Sequence, residues 1–153
     1  MPRFRTLTLD ELKNLEKEFI QFLIVQGISA DHWEKIKINA PQDSILLIDN
    51  FSDFVFESVF SKELYIELRH KNMLQVFHAQ LNEMSEVCLQ DLNPEANFFD
   101  DNWLNQITKP TENTLEKYTR TISYQNRALE LFIITEQGGK IVNHELFDFL
   151  KSL

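Results

Sequence analysis

The sequence contains few of the residues that interrupt regular secondary structure. Among 153 residues there are three glycines and four prolines, which argues against a linker or a low-complexity segment. The scarcity of glycine also excludes the glycine-rich loops that cradle phosphate groups, since Gly138-Gly139 follows a helical pattern and does not precede one. We therefore expect a single domain over residues 1–153, built mostly from helices and strands.

Cysteine and long apolar runs are also scarce. Cys88 is the single cysteine, so it has no disulfide partner in the chain, and this favours a reducing compartment. The longest apolar runs, such as 22–25 and 45–48, are far shorter than the ~20 residues of a membrane-spanning helix. The first residues lack the apolar stretch of a signal peptide. These features predict a cytoplasmic protein that does not enter a membrane.

Positive charge is the third deficit. The chain has 15 lysines and arginines against 24 aspartates and glutamates, for a net charge of −9. Residues 78–115 contain seven of the acidic side chains and one lysine. Because contacts to phosphate groups supply most nucleic-acid affinity, a nucleic-acid partner is not expected. The acidic balance fits a protein that meets a basic partner.

Helical periodicity dominates the first sixty residues. Thr8 and Glu11 have the spacing of a capping box, which predicts a first helix over 9–26. Its second half is apolar nearly all round, so we expect that half to lie in the centre of the core. A second helix is predicted to follow Ser29 and to end near Ile38, and a third to cover 41–60.

The period then changes to two, which indicates strands. Three short runs around 64–68, 74–76 and 87–89 predict an antiparallel three-stranded meander with one face packed on helices. Residues 91–114 show no period and predict a long acidic loop, whereas 115–122 fit either a strand or a helix. Two C-terminal helices are predicted, one from Ser123 to the Gly138-Gly139 pair and one after Asn143. The predicted fold class is α+β.

No catalytic or cofactor motif is present. The four histidines lack the i, i+4 spacing of a helical metal pair, and Cys88 has no activating basic neighbour in the sequence. There is no P-loop and no nucleophile elbow. We therefore expect no cofactor, and we expect a binding protein more readily than an enzyme.

The best candidate for a recognition surface is the acidic aromatic segment 97–103. Its candidate partner-binding residues are Phe98, Phe99, Asp100, Asp101 and Trp103. Aromatic side chains are enriched at interface hot spots, and charged side chains form interface rims. The alternative interpretation is that the three aromatic residues fix a long loop to the core.

A second candidate site is a row of carboxylates on the third predicted helix. Asp49, Asp53 and Glu57 recur every four residues, on one stripe of the helix. Such a row could bind a divalent cation and serve a small metal-assisted hydrolase. The pattern is more typical of the solvated face of an amphipathic helix, and like charges at this spacing need no function to be tolerated.

Six short stretches of the chain together resemble a known family. They are Thr8–Leu12 with Glu18–Leu23, then Gly27–Lys37 and Phe51–Asp53, and near the C-terminus Glu136–Ile141 with Leu146-Phe147. The sequence is similar to a family of small uncharacterised proteins from Bacteroidetes that is defined by a domain of unknown function. The resemblance implies a cytoplasmic bacterial protein and carries no activity or site residue. The sequence as a whole predicts a non-enzymatic cytoplasmic binding or accessory protein that acts through a protein partner.

Overall fold

A computed structural model describes residues 2–107 and 114–153. Its residue contacts form two compact units, Met1–Val59 and Phe60–Leu153. The first unit is helical and the second is built on a β-sheet. Within the described residues, none of the helices combines the length and the apolar character needed to cross a membrane.

The helical unit contains α1 (Leu9–Asn14), α2 (Glu16–Val25), α3 (Ala30–Asn39) and most of α4 (Pro41–Phe60). The predicted capping box is confirmed, because the Glu11 amide donates to Thr8 Oγ1 while the Glu11 carboxylate accepts from the Thr8 amide. The single helix predicted over 9–26 is interrupted at Leu15, whose backbone (φ −109°, ψ 23°) leaves the helical region. Gly27 ends α2 with a φ of 79°.

The core of the helical unit is centred on Phe51, which is fully buried. The rings of Phe19 and Phe22 lie 5.0 and 5.4 Å from the Phe51 ring. The prediction that the second half of the first helix lies in the centre of the core is wrong, since Ile24 and Val25 are 55% and 80% exposed. One face of α2 packs on α3 and α4, and the other face remains open to solvent.

The described residues of the second unit form an antiparallel sheet in the order β4-β3-β2-β1-β5. The predicted meander is present as the three central strands, β1 (Leu64–Arg69), β2 (Met73–Ala79) and β3 (Glu83–Asp91). The sheet has two further strands, so the predicted number of three strands is too small. Residues 115–122, which fitted a strand or a helix, lie in β4 (Leu115–Ser123), and β5 (Lys140–Val142) was not predicted.

Within the described residues of the second unit, three helices accompany the sheet, where the sequence predicts two. The extra one is α5 (Asp101–Asn105), a short helix within the region predicted as a loop, of which residues 108–113 lie outside the described part. The other two are α6 (Arg127–Glu136) and α7 (Glu145–Ser152). The helix predicted from Ser123 therefore starts later, where the Asn126 side chain caps α6.

The two faces of the sheet pack against different helices. On one face, α7 contributes to a buried cluster with alternate residues of β2 and β3. The members of this core cluster are Leu74, Val76, Val87, Leu89, Phe98, Ile107, Leu115, Phe147 and Leu150. On the other face, α6 contacts β1. Gly139 lies so close to Ile134 and Ile66 that a Cβ at this position would be 2.9 Å from the Cγ2 atom of each, so a larger residue does not fit there.

Candidate partner-binding cleft

The segment 97–103 places its two adjacent phenylalanines in opposite environments. Phe98 is fully buried in the core cluster, and its amide donates to the Lys71 carbonyl in the β1–β2 turn at 2.9 Å. Phe99, the next residue, is 64% exposed. One aromatic side chain of the segment therefore anchors it to the core, and its neighbour faces solvent.

The two aspartates have structural partners within the same unit. Asp100 caps α5, because its Oδ1 accepts from the Asn102 amide at 2.9 Å. Asp101 Oδ1 accepts from Arg69 Nη1 at 2.7 Å, although the Asp101 side chain is 78% exposed. Trp103 is half-buried against the core cluster. Its indole N–H is buried and has no acceptor among the described residues.

Arg69 connects β1 to the segment 97–103. Besides Asp101, its guanidinium donates to the Phe98 carbonyl at 3.2 Å and to Glu67 at 3.4 Å. Burial is the largest single effect on the pKa of Arg69 and lowers it, but the hydrogen bond and charge of Asp101 and the charge of Glu67 outweigh burial and raise the pKa. The guanidinium is therefore a permanent positive charge that holds the segment in place.

These residues border a cleft of about 640 Å³, a size typical of small-ligand and side-chain pockets. Its charged and polar members come from β1, β5 and the end of α6, while Phe99 and Asp101 come from the segment 97–103. The lining residues are Glu67, Arg69, His70, Phe99, Asp101, Gln137, Gly138 and Lys140. The cleft thus combines an exposed aromatic ring with charges of both signs.

The sequence did not indicate Glu67, Arg69 or Lys140 as site residues. Glu67 and Arg69 alternate with buried residues of β1, so their positions indicated only the polar side of a strand. Lys140 lies opposite Glu67 in the β1–β5 pairing, and β5 itself was not predicted. Their grouping depends on the strand order, which the sequence pattern does not give.

The carboxylate row of the alternative site has a different environment. The N-terminal residues 3–6, here called the strap, run along α4 and bind all three side chains. The Arg3 amide donates to both Asp53 oxygens at 2.8 Å, Thr6 Oγ1 donates to Asp49 Oδ1 at 2.6 Å, and the Arg3 guanidinium pairs with Glu57. Among residues 2–107 and 114–153, no group of three or more histidine, cysteine, aspartate or glutamate side chains could hold a metal ion.

Cys88 is the side chain with the strongest intrinsic nucleophilicity in this unit. It is buried, and burial together with the negative charge of Glu86 raises its pKa to about 11. A thiol with that pKa is protonated at neutral pH. Cys88 therefore fits a packing residue of β3 better than a nucleophile.

Comparison with known proteins places the chain in a family without assigning a function. No curated protein and no solved structure matches the sequence. A family model described as a family of unknown function, DUF6495, matches residues 1–153. Because this match covers the whole chain, the protein belongs to the DUF6495 family.

Proposed function

We propose that this protein is a non-enzymatic binding protein that acts through a protein partner at the cleft beside Phe99. The observation that carries the proposal is the exposure of Phe99 directly after the fully buried Phe98. Since the Phe98 amide is bound to the Lys71 carbonyl, the backbone that presents the Phe99 ring is already ordered. An aromatic side chain on an ordered backbone loses little backbone entropy on binding and suits an interface anchor.

The charges around the cleft supply orientation. Asp101 keeps most of its surface exposed while it holds Arg69, so a basic side chain of the partner can approach it without breaking that ion pair. The acidic excess of the chain, −9 overall, attracts a basic partner at long range. We expect the association rate to fall as salt increases, because exposed charges are screened.

The cellular setting is part of the same proposal. The single cysteine and the resemblance to small Bacteroidetes proteins support a location in a bacterial cytoplasm. A basic protein of that compartment is the expected partner class.

A photo-crosslinking residue at position 99 tests the proposal. Benzoyl-phenylalanine replaces Phe99 in one variant and Phe149, an exposed phenylalanine of α7 in the same unit, in a matched control. We expect a crosslinked protein at position 99 that is absent at position 149. Equal crosslinking at both positions would contradict the proposal.

The identified partner is then purified and its affinity measured. Phe99→Ala should weaken binding by about tenfold or more, as for other interface anchors. Phe149→Ala should leave the affinity unchanged. Both variants should melt close to the parent, because neither side chain is buried. An unchanged affinity of Phe99→Ala would exclude the cleft as the binding site.

A further inference from the structure

The strand β4 forms one edge of the sheet, and β3 is the strand that borders it in the described part of the chain. The strand β4 is nine residues long, and its pairing with β3 runs without a bulge from Leu115 to Ser123. It contains no proline. A long, regular edge strand presents a row of backbone donors and acceptors that another strand can pair with.

The hydrogen-bond pattern indicates which residues of β4 face outward. The Leu92 amide donates to the Thr114 carbonyl at 2.8 Å, one step before the Leu115–Asp91 pair. Because hydrogen-bonded and non-hydrogen-bonded pairs alternate in an antiparallel ladder, the even-numbered residues of β4 bond to β3. The odd-numbered residues from Leu115 to Thr121 therefore direct their N–H and C=O groups away from the sheet.

Glu116 of this edge accepts a hydrogen bond from the Tyr118 hydroxyl, and the two basic side chains that could protect the edge are held on the two faces of the sheet. Lys117 Nζ donates to the carbonyls of Lys151 and Leu153, at 2.9 and 2.8 Å. Arg120 donates twice to Glu86, at 2.8 and 3.1 Å. The edge itself is left with exposed residues such as Tyr118, which is 51% exposed. Charged residues that lie across an edge would oppose pairing. Lys117 is instead bound at the end of α7, and the Arg120 side chain, which is bound to Glu86 yet 62% exposed, leaves room for a second carboxylate.

We propose that β4 pairs antiparallel with β4 of a second copy of this chain, in a two-fold register centred on Tyr118. This pairing joins two five-stranded sheets into one. It places Glu116 opposite Arg120 of the second copy, and symmetry repeats the pair. The two Tyr118 side chains then lie side by side on the same face, as in favourable aromatic cross-strand pairs.

The neighbouring registers are less favourable. A centre on Lys117 or on Arg120 sets two like charges directly opposite each other, which destabilises a pair of strands. A centre on Thr119 places Glu116 opposite Ile122 and loses the ion pair. A centre between two residues would match outward backbone groups with inward ones, so their hydrogen bonds could not form. The strand is thus complementary to itself in one register.

Disulfide trapping tests both the pairing and its register. Cys88 lies opposite Tyr118 within the sheet, so every trapping variant first carries Cys88→Ala. In that background Tyr118→Cys should form a covalent dimer under mild oxidation, since non-hydrogen-bonded partners have Cα atoms about 4.5 Å apart, within disulfide range. The matched control is Ile141→Cys, an exposed position on β5 at the other edge, which should remain a monomer.

The positions at which a disulfide forms show whether the strands pair and in which register. Equal trapping at positions 118 and 141 would show random collision and overturn the proposal. Trapping at Thr119→Cys in preference to Tyr118→Cys would overturn the register. The unmodified protein should show a concentration-dependent dimer in sedimentation velocity between about 1 and 300 μM. A monomer throughout that range would also overturn the proposal.

A charge variant tests the pairing without oxidation. Glu116→Arg sets two arginines opposite each other and should raise the dimer dissociation constant at least about tenfold. Glu116→Gln should have a smaller effect. Glu116 is exposed, so both variants should fold as the parent does. Equal dissociation constants for Glu116→Arg and the parent would contradict the proposed register. None of these changes touches the cleft, so the two proposals fail independently.

Discussion

Thr6 Oγ1 donates a hydrogen bond of 2.6 Å to Asp49 Oδ1, and Asp49 is only 9% exposed. A residue of the extended strap thus satisfies a nearly buried carboxylate of α4. The neighbouring Ser52 hydroxyl, which is fully buried, accepts from the Leu7 amide at 3.0 Å. The carboxylate stripe of α4 is therefore the surface on which the chain's own first residues are bound.

Thr6→Val should destabilise the protein by about 1–3 kcal/mol, because it removes a hydrogen bond to a nearly buried charge while keeping the side-chain shape. Thr8→Ala, which removes the cap of α1, should cost about 1 kcal/mol. The sequence pattern alone predicts an effect at position 8 and little at position 6. Urea denaturation measures both, and a Thr6→Val protein as stable as the parent would show that the bond to Asp49 contributes nothing.

Phe51→Ala should cost about 3–5 kcal/mol, as for other fully buried phenylalanines. Phe22→Ala should cost less, since Phe22 is half-buried although its ring contacts Phe51. Phe54→Ala, at a position that is mostly exposed, serves as the control and should cost under about 1 kcal/mol. Free energies of unfolding in urea should follow the order Phe51, Phe22, Phe54. A larger loss at Phe22 than at Phe51 would contradict the assignment of the core.

Acid should weaken the α1 cap within a defined pH range. The hydrogen bond from Arg5, and next that from the Thr8 amide, lower the pKa of Glu11 from 4.5 to about 2. Because the folded pKa lies below the unfolded one, this stabilisation is complete above pH 4.5 and is lost as the pH falls towards 2. The difference in free energy of unfolding between the parent and Glu11→Gln should shrink across that range. A difference that stays constant from pH 6 to pH 2 would be inconsistent with the lowered pKa.

Cys88 should resist alkylation in the folded protein. With its pKa raised to about 11, chiefly by burial, the thiolate that reacts with iodoacetamide is rare near neutral pH. Mass spectrometry at pH 8 should show slow labelling of the folded chain and rapid labelling in guanidinium chloride, where the burial is removed. Similar rates in the two states would show that the thiol is accessible.

The long periodic segments could be predicted from the sequence. Pro41 and an apolar stripe predict the third helix over 41–60, the same range as α4. A period of two predicts the strands β1, β2 and β3. The strand β5 has three residues, too few to show a period, and β4 alternates poorly because Leu115 is its one buried residue. As an edge strand it has polar side chains on both faces.

The candidate site was less predictable because it depends on contacts between residues that are distant in the chain. Nothing in the sequence distinguishes Phe98 from Phe99, since burial of the first depends on α7 and on the Lys71 carbonyl. Arg69, which holds the segment through Asp101, lies 32 residues earlier in the chain. Contacts of that kind follow from strand order and turn geometry, which local periodicity does not report.

The sheet joins its first strand to its last, because β1 is hydrogen-bonded on one side to β2 and on the other to β5. During synthesis on the ribosome, the backbone groups on one edge of β1 therefore remain unpaired until residues 140–142 have emerged. Such pairing between residues distant in the chain is slow to form. A nascent chain halted before Lys140 would display that edge to other nascent chains and to chaperones, and this vulnerability ends only when β5 pairs with β1.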